Sequence, residues 1–457
     1  MRCTVRVIFC LFSISTLIAA QIERAVAEQV HLASDLYTQG TTSTKGTSGV
    51  DSAVEFFTQS REACEAGDVG TALRLATQTV VVDSDHADAR RVLGYRRIGE
   101  FWAGSYAARR LERGEIWHPK FGWIKKEDLT RYQAGKRPFG KRWITIEEDA
   151  RRHATIDNGW RIRTDHFRVT TNHSRQEASR LAARLETLHQ IWQQLFGRFA
   201  LKPTELLKRF DGKATSGYRS KPFEVVYYRT RNEYNAALRR QQPRIEMTLG
   251  IYFDTTRTTH FFAGGYDNEN DNGNGQDAGT IYHEAVHQFF QESRPSTRHV
   301  GDSSNAWLIE GVACYFESLV EHPGLDERDR RFTIGTATAG RLPAARHRLL
   351  VDGFYVPLAE LSALGIKDFQ QRNDLPRLYS QSAGLVTFLM HYQDGVYRPA
   401  LVETLQRLYA GRDRMSTLED LAGRSFAELD REYREFIEGL PTAEAPLRTP
   451  TKAPLVP

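Results

Sequence analysis

Ile281-Tyr282-His283-Glu284-Ala285-Val286-His287-Gln288 lies in an apolar run from Ile281 to Phe290 that holds neither glycine nor proline. Such a run predicts a helix, and residues four apart share one helix face. His283 and His287 can therefore offer two imidazoles to one metal ion. Glu284, one position round, can hold a water on that ion and take its proton, which is the donor pattern of zinc-assisted hydrolysis. The plainer reading is a buried amphipathic helix with two satisfied histidines, and the residues downstream bear on the choice.

A hydrolytic zinc needs a third protein ligand and one open position. Ala306-Trp307-Leu308-Ile309-Glu310-Gly311-Val312-Ala313-Cys314-Tyr315-Phe316-Glu317 predicts a second helix with a carboxylate near its start. Trp307, Leu308, Glu310, Gly311, Ala313, Tyr315 and Glu317 fit the pattern W-L-x-E-G-x-A-x-Y-x-E. On these residues the chain resembles the gluzincins, the thermolysin- and aminopeptidase-like zinc peptidases. The resemblance implies Glu310 as third ligand and Glu317, two turns on, as a support behind the ligands. Where thermolysin-type enzymes carry an orienting Asp, this chain has Cys314, so the partner of the zinc histidines stays open. The interval from Gln288 to Ile309 is several residues longer than in the aminopeptidases, and its polar part, Arg294 to Asn305, is expected to loop out.

Upstream, His166 to Thr171 alternates as a short strand and Arg175 to Phe199 has the period of a long amphipathic helix. Phe223 to Tyr228 reads as a strand, Asn232 to Arg240 as a helix, and Ile245 to Asp254 and Thr258 to Ala263 as two further strands. The expected fold class is α+β, with a short mixed sheet and a mostly helical C-terminal half. Strands followed by the metal helix match the order of a gluzincin catalytic domain. In that family an edge strand beside the zinc pairs with the extended substrate, a role open here to Leu249–Phe253 or His260–Ala263. The aminopeptidase signature G-x-M-x-N, which holds a free substrate amine, is missing before the metal helix. That favours an endopeptidase. Asp267 to Asp277 is rich in Asp, Asn and Gly; it reads as a mobile active-site loop, with a calcium loop as the alternative, although the spacing is not that of an EF-hand.

Downstream, Leu378 to Leu389 resembles the aminopeptidase helix that begins Tyr-Glu-Lys-Gly. In that family the tyrosine hydroxyl binds the oxyanion, which implies this role for Tyr379. The following Glu and Lys are replaced by Ser380 and Gln381, and Tyr379 could equally pack at a helix start. Helices over Arg398–Tyr409 and Phe426–Ile437 complete a domain spanning 161–440, and the proline-rich tail 441–457 is expected to be disordered.

At the other end, basic residues precede an apolar run from Val7 to Ala20 that is too short to span a bilayer. With Ala25-Val26-Ala27 as cleavage site, 1–27 reads as a secretory signal peptide; an uncleaved anchor is the alternative. Export follows, without stable membrane insertion after signal removal. Residues 28–50 read as a flexible linker. Residues 51–115 read as a small helical domain, either tetratricopeptide-like or a plain helical cap. Residues 116–160 are basic with interleaved tryptophans, but acidic residues are mixed among them, so the expected reading is a solvated connector rather than a nucleic-acid surface. The formal charge of +5 on 457 residues points to no particular partner. Cys64 and Cys314, left after signal removal, are too few for a disulfide framework.

The resemblance implies a zinc metallopeptidase acting on peptide or protein substrates, and the expected signal peptide implies that it is exported. Zn2+ would sit on His283, His287 and Glu310, with Glu284 as proton acceptor and Tyr379 as oxyanion donor. The alternative is a non-catalytic, zinc-containing scaffold that binds a partner through its helical domain; such a scaffold has no need of Glu284.

Overall fold

Strands with alternating Phe and Val on one face need a helical layer to cover them, and the chain supplies one between each parallel pair. The computed structural model describes residues 28–31, 47–213, 221–263, 276–322 and 331–441. The region expected to be a signal peptide, the Asp- and Asn-rich stretch before residue 276 and the proline-rich tail lie outside these residues. A five-stranded mixed sheet runs in the order Gly250–Phe253, Thr258–Phe262, Phe223–Tyr228, Phe167–Thr171, Trp160–Arg163. The central strand Phe223–Tyr228 is parallel to both neighbours, and both outer pairs are antiparallel. Parallel neighbours require a crossover, and the helix Arg175–Ala200 makes the first of them.

That long helix starts at Ser174, whose hydroxyl accepts the N–H of Glu177 at 3.1 Å. Leu181, Leu185, Leu188, Trp192, Leu195 and Phe199 recur every three or four residues and are buried, as one helix face requires. They pack with Phe167, Val169, Phe223, Val225 and Phe261 from the sheet, and with Phe289 and Phe290 from the helix Gln276–Glu292. The opposite sheet face carries Tyr228 and Phe262, covered by Tyr234 and Leu238 of the helix Arg231–Leu238. Each side chain of this size contributes roughly 1.5–3 kcal/mol on burial.

The C-terminal half is helical, as expected. Ala306–Phe316 and Leu375–His391 are almost wholly buried and cross closely at Gly311, where an added Cβ would lie 2.9 Å from the Ser382 carbonyl oxygen. The latter helix begins earlier than its apolar pattern suggests, because Pro376 fits the first turn. Arg398–Tyr409 and Phe426–Gly439 close the core. Arg294 to Asn305 has no helix or strand. One expected strand divides: Ile245–Met247 is a short helical turn and only Gly250–Phe253 is extended. Thr248 explains the break, since its hydroxyl donates to the Ile245 carbonyl at 2.8 Å and closes the turn.

Two expectations for the N-terminal part need correction. The stretch 28–50 is not uniformly a linker: Glu28–His31 pairs antiparallel with Arg331–Ile334, and a helix begins at Thr47. Residues 96–145, which take in the end of the stretch 51–115 expected to be helical and most of the basic segment 116–160, are not irregular either. Three short hairpins, Arg96–Ile98 with Phe101–Ala103, Glu115–His118 with Gly122–Lys125, and Lys136–Phe139 with Arg142–Thr145, are each followed by a short helix. Trp102, Trp123 and Trp143 take the same place in the second strand of each. Helices Thr47–Glu65 and Val69–Val82 form a pair around Gly67, whose φ of +87° needs glycine. No described helix is long and apolar enough to cross a membrane.

Candidate metal centre

The helix Gln276–Glu292 brings His283 and His287 to one face, as their spacing requires, and the helix Ala306–Phe316 crosses it with Glu310. His283 Nε2 lies 3.1 Å from His287 Nε2. Glu310 Oε2 lies 3.3 Å from the first nitrogen and 3.5 Å from the second. Three ligands held about 2.0–2.1 Å from a tetrahedral zinc are roughly 3.3 Å apart. The observed triangle therefore fits one zinc ion without rearrangement. Asn305 starts the second helix from a left-handed conformation, φ +57°, and its buried amide donates to Asp413 Oδ2 and the Arg414 carbonyl, both at 3.0 Å. This anchors the helix that carries the Glu310 carboxylate.

The other nitrogen of His283 is held as well. Its Nδ1 lies 2.8 Å from Glu317 Oε1, and Glu317 is gripped by Arg341 through contacts of 2.7 and 3.0 Å. The orienting partner that the sequence leaves open is thus Glu317, with the Cys314 sulfur 3.9 Å from the same nitrogen. An acidic partner on the distal nitrogen fixes the ring and raises its basicity as a ligand. Both cysteines of the described chain are free and buried, Cys64 in the N-terminal helices and Cys314 here.

Electrostatics favour a cation between these groups. Burial works against charge on His283, yet its hydrogen bonds to Cys314, Glu310 and Glu317 raise its pKa well above the usual histidine value. Burial also opposes charge on Glu310, but His287 and His283 hold its carboxyl far below the usual carboxylate range. A divalent ion supplies that positive charge and displaces a proton in doing so.

Glu284 faces the sheet edge. Its Oε2 accepts the backbone N–H of Tyr252 at 2.9 Å. Among the described strands Gly250–Phe253 stands at the edge of the sheet and Thr258–Phe262 does not, so of the two strands considered for substrate pairing the first is the one with a side not paired to another described strand. Tyr379 is half-buried at the same site. Burial first, and then the Glu310 carboxylate, push its hydroxyl well above the usual tyrosine pKa, which keeps it a neutral donor. The Arg341 guanidinium lies 5.5 Å from its ring centre.

Three contributors have no local signal in the sequence. Arg341 lies far along the chain from the residue it locks. Gln288, fully buried, bolts the helix Gln276–Glu292 to the sheet: its Oε1 accepts from Thr259 at 2.9 Å and its Nε2 donates to the Glu224 carbonyl at 3.2 Å. Tyr252 acts through its backbone, which no side-chain pattern reveals. Comparison of the chain with protein-family models, with curated proteins and with solved structures returned no match in any of the three.

Proposed function

We propose that the chain is an exported zinc metallopeptidase, an endopeptidase rather than an aminopeptidase. The observation that carries this is the triangle of His283, His287 and Glu310 at 3.1–3.5 Å with Glu284 on the same helix, one residue from a ligand. Zinc, when bound, is a Lewis acid that lowers the pKa of a water and polarises a carbonyl. The protein does the rest. The Tyr252 N–H pins one oxygen of Glu284, leaving the other to take a proton from the attacking water and pass it to the departing amine. Gly250, two residues before Tyr252 on the edge strand, turns its backbone the same way and can pair with an extended peptide. Tyr379 donates to the developing oxyanion. Arg341 keeps Glu317 ionised and in place, so that His283 presents Nε2 to the metal.

The second reading, a zinc-containing scaffold, gives no work to Glu284. Glu284→Gln separates the two. It keeps shape and hydrogen bonding but cannot accept a proton, so zinc content and fold should persist while hydrolysis of a diverse peptide library falls by about a thousandfold or more. A wild-type chain loaded with zinc that cleaves no member of the library would leave the scaffold reading in place.

A further inference from the structure

The long helix Arg175–Ala200 carries a second set of ligand-type side chains, away from the centre just described. Glu186 and His189, three residues apart, project from one helix face. His166 meets them from the turn into the strand Phe167–Thr171. One donor atom from each of the three lies within 4.8 Å of the other two. The Glu186 carboxylate already gathers the group: Oε2 lies 2.7 Å from His166 Nδ1 and Oε1 accepts the His166 backbone N–H at 2.7 Å. The two imidazole rings lie 4.3 Å apart, centre to centre.

Burial separates the three. Glu186 is 2% exposed and His189 4%, whereas the His166 side chain is 44% exposed and opens a path from solvent. His189 is enclosed by the rings of Phe167, Phe223 and Phe289, at 6.2, 5.6 and 5.2 Å. A cavity of about 320 Å³ borders all three residues and is walled further by Tyr95, Asp165 and Gln190. It has room for a water as fourth ligand. Asp165 is engaged elsewhere, its Oδ1 accepting the N–H groups of Tyr106 at 2.7 Å and Ala107 at 3.4 Å. Arg209, the cation on the cavity wall, turns its guanidinium to the Val92 carbonyl at 3.2 Å.

We propose that His166, Glu186 and His189 form a second zinc site, which ties the long helix to the entry of the sheet strand beneath it. Two imidazoles and one carboxylate suit zinc and not calcium or magnesium, which take all-oxygen cages. Bound zinc draws donor atoms to roughly 3.3 Å from one another, and the half-exposed His166 ring can turn to meet that demand. The site lies behind Phe289, two residues past His287, so it braces the metal helix without touching its chemistry.

Zinc binding to the full chain tests this without reference to peptide hydrolysis. In His283→Ala/His287→Ala, stripped with chelator and titrated with Zn2+ against a chromophoric chelator, one equivalent should remain. Adding His166→Ala, a substitution at a half-exposed position, should weaken that binding by at least roughly a hundredfold. Co2+ in the same variant should give the visible absorption of a tetrahedral site. Should the double variant fail to fold, wild type answers the question: two equivalents, falling to one in His166→Ala. No stoichiometric zinc in a folded double variant, or binding that His166→Ala leaves unchanged, would overturn the second site and show that His166 serves only as an ion-pair partner for Glu186. Loss of the first centre in peptidase assays would leave this result untouched.

Discussion

Glu310 and Glu317, two helical turns apart, address opposite nitrogens of one imidazole: Glu310 lies 3.3 Å from His283 Nε2 and Glu317 2.8 Å from Nδ1. The first position asks for a ligand and the second for a charge that holds the ring. Glu317→Gln keeps an acceptor but removes that charge and the grip of Arg341. Zinc affinity should drop by about 10–100-fold with the fold intact, as chelator competition would read. Tyr379→Phe should leave zinc content unchanged and slow turnover by roughly a hundredfold, because a donor at the oxyanion acts mainly in the transition state; a Phe variant at full rate would leave the oxyanion to the metal. His260 gives a pH signature instead. Enclosed beside Tyr228 and Phe253, it has its pKa lowered by burial from 6.5 to about 4. The unfolded chain therefore binds more protons between those values. Stability is full above pH 6.5 and falls as the pH drops towards 4, by on the order of 3 kcal/mol for this group. Urea midpoints across that range should flatten in His260→Gln.

Among the elements, the helix with the two candidate histidines and its partner were legible in the sequence because His283 and His287 stand at helical spacing and the apolar faces are long. The expected strand over Ile245–Asp254 was legible only in part. Composition favoured extension throughout, but one hydroxyl, that of Thr248, closes a turn in the middle. The edge position of Gly250–Phe253 is a property of sheet order and no local pattern carries it. Gly311 has the opposite character: its place beside Glu310 was part of the sequence pattern, and the crossing of two helices gives it a cause. A Cβ there would lie 2.8 Å from the Val386 side chain and 2.9 Å from the Ser382 carbonyl oxygen. Backbone cannot yield as a flexible side chain does, so the helix carrying Tyr379 must move away from the one carrying Glu310. Gly311→Ala should cost about 1–3 kcal/mol in denaturant unfolding and lower turnover by more than the comparable overpacking at Gly384, which lies farther along that helix.

Across the whole molecule, the repeated hairpin and helix units show why the segment after the first helices looked irregular. Strands of three or four residues are too short to display an alternating pattern. The legible sign was instead the recurrence of Gly94, Gly114 and Gly135, with Trp102, Trp123 and Trp143, about every twenty residues. How the N-terminal helices join the rest could not be read at all, since it depends on glycines that are distant in sequence. A Cβ on Gly70 would lie 2.7 Å from the Gln194 carbonyl oxygen, and one on Gly197 would lie 3.0 Å from Leu73 and 3.1 Å from Val69. The helix Val69–Val82 therefore rests on the long helix almost backbone to backbone, and the long helix packs in turn on the helix Gln276–Glu292. A module built to swing out and bind a partner would be separated from the core by side chains or solvent. With contact this close, the helices and the metal centre should unfold together. Gly70→Ala should lower the melting temperature of the whole chain through a loss of about 1–3 kcal/mol, and tryptophan fluorescence and zinc release should move by the same amount. If the N-terminal helices melted first while zinc release kept its wild-type midpoint, they would be an independent unit, and the scaffold reading would gain the partner-binding domain it requires.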